Sequence, residues 1–136
     1  MDSAELDAAL LALYWQISRQ TPRDMSRSAA SALGNLRDLG PARITELANL
    51  EGVTQPTMTT LVTRLERDGL VTRSPDPDDA RAVRVGITDK GRESLTRMRN
   101  ARAAVLDAAL AELEPREREA LEDALPVLEK LSRRTP

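Results

Sequence analysis

Apolar residues recur near the N-terminus at Leu6, Leu10, Leu13, Tyr14 and Ile17, the spacing of an amphipathic helix. Asp2, with Glu5 three residues later, has the form of a capping box, so a first helix is predicted over about 2–20, ending before Thr21-Pro22. A second helix is predicted over 26–39, its small residues suited to close packing and its end set by Gly40-Pro41. ITELANL then reads as a short helix with Thr45 as N-cap and Leu47, Ala48 and Leu50 facing inward. Glu51-Gly52-Val53 is a turn, and Thr54 caps the next helix, with Pro56 in the first turn where its missing N–H costs nothing.

Within that helix Met58, Leu61, Val62 and Leu65 form one apolar stripe at i, i+3, i+4 and i+7. At 100° per residue the opposite side carries Pro56, Thr60, Thr63 and Arg67, flanked by Thr57, Thr59 and Arg64. After Asp68-Gly69, Leu70 to Arg73 reads as a strand, and Val83, Val85 and Ile87, alternating with Arg84 and Gly86, read as its returning partner. The polar run from Pro75 to Ala80 is then the tip of a hairpin. Thr88 caps a long helix carrying Leu95, Met98, Val105, Leu106, Ala109, Leu110 and Leu113. Pro115 opens a last helix with Leu121, Leu125, Leu128 and Leu131 on one side, interrupted or bent at Pro126.

Composition narrows what such an arrangement can do. At 136 residues the chain has the length of a single domain, and one Trp and one Tyr cannot line an aromatic platform for single-stranded nucleic acid. Cys and His are absent, which removes disulfides, thiol redox chemistry, the usual zinc ligand sets and His- or Cys-based catalysis. The carboxylate groups at Asp76 to Asp79 and at Glu117 and Glu119 come with no nucleophile or phosphate-cradling loop, so no enzyme, cofactor or metal is expected. Net charge is −2, and residues 54–92 hold seven basic against six acidic side chains, so a DNA-binding face has to arise from segregation in space. No apolar run is long enough to cross a bilayer and the acidic N-terminus lacks a basic leader, so a cytoplasmic, nucleoid-associated protein is expected.

Two helices joined by a Gly-containing turn, the second with an exposed polar face, form a helix-turn-helix, which lays its second helix in the major groove. That signal alone is weak. The hairpin directly after it adds a wing able to reach the neighbouring minor groove and backbone, with Arg81 and Arg84 as natural phosphate or minor-groove ligands.

Several stretches resemble the MarR-type winged helix-turn-helix regulators. Asp79-Ala80-Arg81, five further residues, then Ile87-Thr88 fits that family's D-x-R-x-x-x-x-x-[LI]-T signature, followed by Asp89-Lys90-Gly91. RLERDGLVTR (Arg64 to Arg73) and ITELANLEGVTQPTMTTLVTRL are similar to the family's recognition-helix end and helix-turn-helix.

The resemblance implies a mainly α fold in one domain, 1–136, with a winged helix-turn-helix lobe over about 27–90 and a two-stranded β wing. Dimerisation helices would lie over about 2–20 and 91–134. Amphipathic terminal helices too numerous to bury on one small module independently point to a second copy of the chain. The implied activity is a homodimeric, sequence-specific regulator, a repressor, on a pseudo-palindromic operator in double-stranded DNA. Gln55, Thr57, Thr59, Thr60 and Thr63 would read bases, Arg64 and Arg73 would hold phosphates, and Arg81 with Arg84 would serve the wing, braced by Asp79. Family members bind small aromatic or anionic effectors; here Tyr14, Trp15 and Arg19 are the candidates, though interface packing explains the same residues. The competing function is a winged-helix interaction dimer that has lost DNA binding.

Overall fold

The computed structural model describes residues 1–134. In order, the elements are α1 (Ser3–Gln20), α2 (Arg27–Leu39), β1 (Ala42–Arg43), α3 (Ile44–Glu51), α4 (Gln55–Arg67), β2 (Val71–Pro75), β3 (Val83–Ile87), α5 (Asp89–Ala111) and α6 (Pro115–Arg134). They divide into two compact units, Thr21–Ala101 and Met1–Gln20 with Arg102–Pro136.

In the unit Thr21–Ala101, α2 begins where Ser26 Oγ accepts the Ala29 N–H at 3.1 Å, and it ends at Gly40, whose N–H donates to Leu36 O. Leu33 and Leu36 of α2, Leu47 of α3, Met58 and Val62 of α4 and Val85 of β3 are fully buried together. The predicted stripe on α4 is therefore the face that enters the core. Its weakest member is Leu61, which packs against the core only partly buried.

The sheet has three antiparallel strands in the order β1-β3-β2. Ala42 opposes Val85, while Val71 to Pro75 run against Ile87 to Val83. The two-stranded wing read from the sequence is present, and β1 adds an edge that two residues are too few to announce through periodicity. That strand also displaces the expected N-cap of α3. Thr45 lies inside the helix, which starts at Ile44 after an extended Arg43 that makes no side-chain cap bond. Leu50, expected inside, is 53% exposed, because the helix ends one residue later at a left-handed Gly52.

The start of α5 is clasped to the turn between α4 and β2. Thr88 N donates to Leu70 O at 3.0 Å, Thr88 Oγ1 to Gly69 O at 2.6 Å and Lys90 Nζ to Asp68 O at 2.7 Å. Thr88 Oγ1 also accepts the Gly91 N–H, as an N-cap does. Gly91 is required by contact: a β-carbon there would fall 2.4 Å from Leu70 O. The Thr-Asp-Lys-Gly run is thus the joint that fixes the wing's exit to the end of α4.

The second unit holds α1, the C-terminal part of α5, and α6. The Asp2–Glu5 capping box forms as read, each backbone N–H donating to the other's carboxylate at 2.8 Å. Among the described residues neither α1 nor α6 contains a buried one. Leu10, Leu13, Tyr14, Leu121, Leu125 and Leu131 are large apolar side chains that stay exposed. α6 continues without interruption through Pro126, where both Pro126 and the Glu122 whose carbonyl loses its donor are open to solvent.

Candidate nucleic-acid interface

Thr54 starts α4 by accepting the Thr57 N–H at 3.3 Å and donating its hydroxyl to Thr57 Oγ1 at 2.9 Å. Beyond it Gln55, Thr57, Thr60, Thr63 and Arg64 are exposed, and Thr59 is half-buried. The sequence placed the threonines and Arg64 on the side of α4 away from the apolar stripe, and the structure keeps that side out of the core. Gln55 and Arg64 have no side-chain hydrogen bond or ion pair among the described residues, so amide and guanidinium are open to an outside partner.

Arg73 is held differently. Its Nη2 donates to Thr63 Oγ1 at 3.0 Å, and its Nε lies 3.4 Å from Glu66 Oε1, within ion-pair reach but without hydrogen-bond geometry. In this arrangement β2 is tied to α4 through Arg73. Arg84, on β3, donates from Nη2 to Pro41 O at 3.2 Å, reaching across to the residue just before β1.

The wing tip is built around Asp76, which is only 8% exposed. Oδ1 accepts the N–H groups of Asp78 at 2.8 Å and Asp79 at 3.2 Å, and Oδ2 accepts Arg43 Nε at 2.8 Å. Asp76 N donates to Ala82 O, which closes the loop. The Arg43 hydrogen bond, followed by the Asp78 N–H, lowers the Asp76 carboxyl from an ordinary 3.8 to about 2. Asp79, expected to brace the wing, makes a smaller link in which Oδ1 accepts the Arg81 N–H at 3.0 Å. Arg81 itself is exposed at the tip, its guanidinium without a partner among the described residues.

Sequence reasoning missed Arg43 and Asp76. A signal existed for half of the pair, since an aspartate followed by N–H groups two and three positions on is the pattern of an Asx turn. The other half, supplied from β1, carries no local mark.

On the α2 side of α4 a cleft of about 380 Å³ is lined by Ser26, Ser28, Glu51, Val53, Thr57, Met58, Thr60, Leu61 and Arg64. On α1, Tyr14 and Trp15 meet edge-on with centroids 5.4 Å apart, and Arg19 Nη2 donates to Gln16 Oε1 at 3.1 Å. Both rings are nearly half exposed, so neither is a core residue of its unit.

The arrangement has close counterparts among known proteins. The MarR family model matches residues 25–83, the span from the end of the first loop to the returning wing strand. An HTH-type transcriptional regulator of Mycobacterium bovis is 33% identical over 135 residues, covering 98% of this chain and 94% of that one. The chain belongs to the MarR family. The HTH-type transcriptional repressor NicR of Pseudomonas putida is 36% identical over 86 residues, 63% of this chain and 54% of the repressor. The crystal structure of the transcriptional regulator Tm0710 from Thermotoga maritima superposes with a TM-score of 0.83 at 28% identity, covering 97% of this chain and 96% of that one.

As a MarR-family member the protein is a DNA-binding transcriptional regulator and not an enzyme. In this regulator α3 and α4 form the helix-turn-helix, β2 and β3 are the wing, and the Thr88 clasp fixes the wing's exit to the end of α4. No helix among the described residues is long and apolar enough to cross a membrane.

Proposed function

We propose that this MarR-family chain acts as a homodimeric repressor on a pseudo-palindromic operator in double-stranded DNA. The observation that carries the reading is the joint exposure of Gln55, Arg64 and Arg81, three donors without internal partners on α4 and the wing tip. In this reading Gln55, Thr57, Thr59, Thr60 and Thr63 face base edges, Arg64 holds phosphate, and Arg81 enters the minor groove. Arg73 and Arg84 reach phosphate only by leaving Thr63 and Pro41, which makes them secondary contacts. Asp79 orients Arg81 through its backbone, and Asp76 holds the loop on which both stand.

The dimer rests on the exposed apolar residues of α1 and α6, which a second copy would cover. Repression is supported by two relatives that are repressors, NicR and IacR of Pseudomonas putida. A small aromatic or anionic effector that changes the separation of the two reading helices would release the operator, with Tyr14, Trp15 and Arg19 as its candidate contacts.

Fluorescence anisotropy tests the reading, using DNA from upstream of the protein's own gene against scrambled DNA across a salt series, with Arg81→Ala in parallel. Sequence-selective, salt-sensitive binding that weakens in the variant is the expected result. Equal, weak binding to both DNAs, followed by a random-sequence selection that finds no preferred site, overturns it in favour of an interaction dimer.

A further inference from the structure

The hydroxyl protons of three threonines on α4 are already committed inside the helix. Thr59 Oγ1 donates to Gln55 O at 2.9 Å, Thr60 Oγ1 to Pro56 O at 3.1 Å and Thr63 Oγ1 to Thr59 O at 2.9 Å. A hydroxyl has one proton and two acceptor lone pairs, so in these rotamers none of the three donates to a base. What they offer outward is oxygen lone pairs and γ-methyl groups.

The three are not equivalent. Thr63 Oγ1 also accepts from Arg73 Nη2 at 3.0 Å, which leaves its methyl as the principal external feature. Thr59 is half-buried. Thr60 is exposed, and its oxygen accepts no hydrogen bond among the described residues, so it presents one acceptor and one methyl side by side.

In the major groove guanine shows only acceptors, N7 and O6, whereas an A·T pair shows the adenine N6 amine beside the thymine methyl. An acceptor pressed against guanine leaves both groups unpaired and dehydrated, which is penalised. Cytosine N4 could donate to Thr60, but a G·C pair has no methyl to pack against Thr60 or Thr63.

Resting on the operator-binding reading above, we propose that Thr60 is a specificity-determining residue that selects A·T pairs in each half-site. Its Oγ1 accepts from adenine N6, and its γ-methyl, with that of Thr63, packs against the thymine methyl. Arg73 acts as a positioning residue that holds Thr63 in its methyl-outward role.

The test is a selection from random-sequence DNA with the full chain, followed by replacement of each enriched thymine by deoxyuridine, which deletes only the methyl. The parallel variants are Thr60→Ser, which keeps the hydroxyl, and Thr60→Val, which keeps the methyl; unchanged melting curves establish that both fold. Expected is an A·T-enriched half-site in which one uracil replacement weakens the natural chain about fourfold, the worth of one buried methyl. Thr60→Ser should weaken binding similarly and respond less to that replacement, Thr63 alone still offering a methyl. Thr60→Val should keep the response while discriminating less against G·C at the same step.

A selected site whose affinity ignores every uracil replacement, or responds equally in Thr60→Ser, overturns the inference while leaving the regulator intact. A selection with no preferred sequence overturns both.

Discussion

Asp76 and Arg43 stand 33 residues apart in the chain and 2.8 Å apart in space. One carboxylate thereby gathers the wing tip, through the Asp78 and Asp79 N–H groups, and ties it to the strand that leads into α3. The wing of this regulator is consequently anchored at its tip by Asp76, besides the Arg73 link along β2 and the Thr88 and Lys90 clasp at its base.

Removing the tip anchor should loosen the loop without unfolding the core. In Asp76→Ala, amide hydrogens of Asp78, Asp79 and Ala82 are expected to exchange about tenfold faster, while those of α2 and α4 keep their rates. Hydrogen exchange read by NMR checks this, and unchanged loop rates would remove Asp76 from its bracing role. Operator affinity should fall in the same variant, since Arg81 then samples more positions.

The same pair sets a pH dependence. The folded carboxyl sits near 2, below its ordinary 3.8, chiefly through the Arg43 hydrogen bond. Because the folded value is the lower one, the stabilisation is complete above about pH 4 and is lost as pH falls through 2. Amide shifts of Asp78 and Asp79 should titrate with a midpoint near 2, and Arg43→Ala should move that midpoint upward. A midpoint that does not move on loss of Arg43 would show that the backbone N–H groups dominate.

Gly91→Ala is expected to be costly although the position is helical. The new β-carbon would meet Leu70 O at 2.4 Å and Ile87 Cγ1 at 2.7 Å, and neither the backbone of the clasped turn nor a branched side chain yields easily. A loss of about 1–3 kcal/mol, the usual range for overpacking, should appear as a lower midpoint in urea. Stability equal to the natural chain would mean that α5 can slide away from β2.

Arg81→Ala should act on binding alone. The side chain has no internal partner among the described residues, so melting should be unchanged while the slope of log affinity against log salt falls by about 2 for a dimer that loses two guanidinium charges from the DNA groove. Anisotropy titrations at several salt concentrations read the slope. A slope equal to that of the natural chain would place Arg81 away from the DNA.

Leu125→Asp probes the proposed dimer. Leu125 is 56% exposed in the single chain, so a charge there has little to disturb unless a second chain covers it. Light scattering should show a monomer mass for the variant and a dimer mass for the natural chain. A variant that stays dimeric would move the interface elsewhere.

The sequence by itself determined the elements whose cause is local. Thr54 and Pro56 start α4, the Met58, Val62 and Leu65 stripe sets which face it buries, and Asp2 with Glu5 caps α1, because each depends on residues within a few positions. The alternation of Val83, Val85 and Ile87 was likewise enough to declare β3. Tertiary structure decided what depends on distant partners. β1 exists only through its pairing with Val85 and Arg84, and it moved the start of α3 away from Thr45. Arg73 was drawn to Thr63 and Glu66, and Asp76 to Arg43, by side chains no local pattern brings together. Propensity and periodicity act over one or two helical turns, whereas a charge finds its partner in three dimensions, after the backbone has been placed.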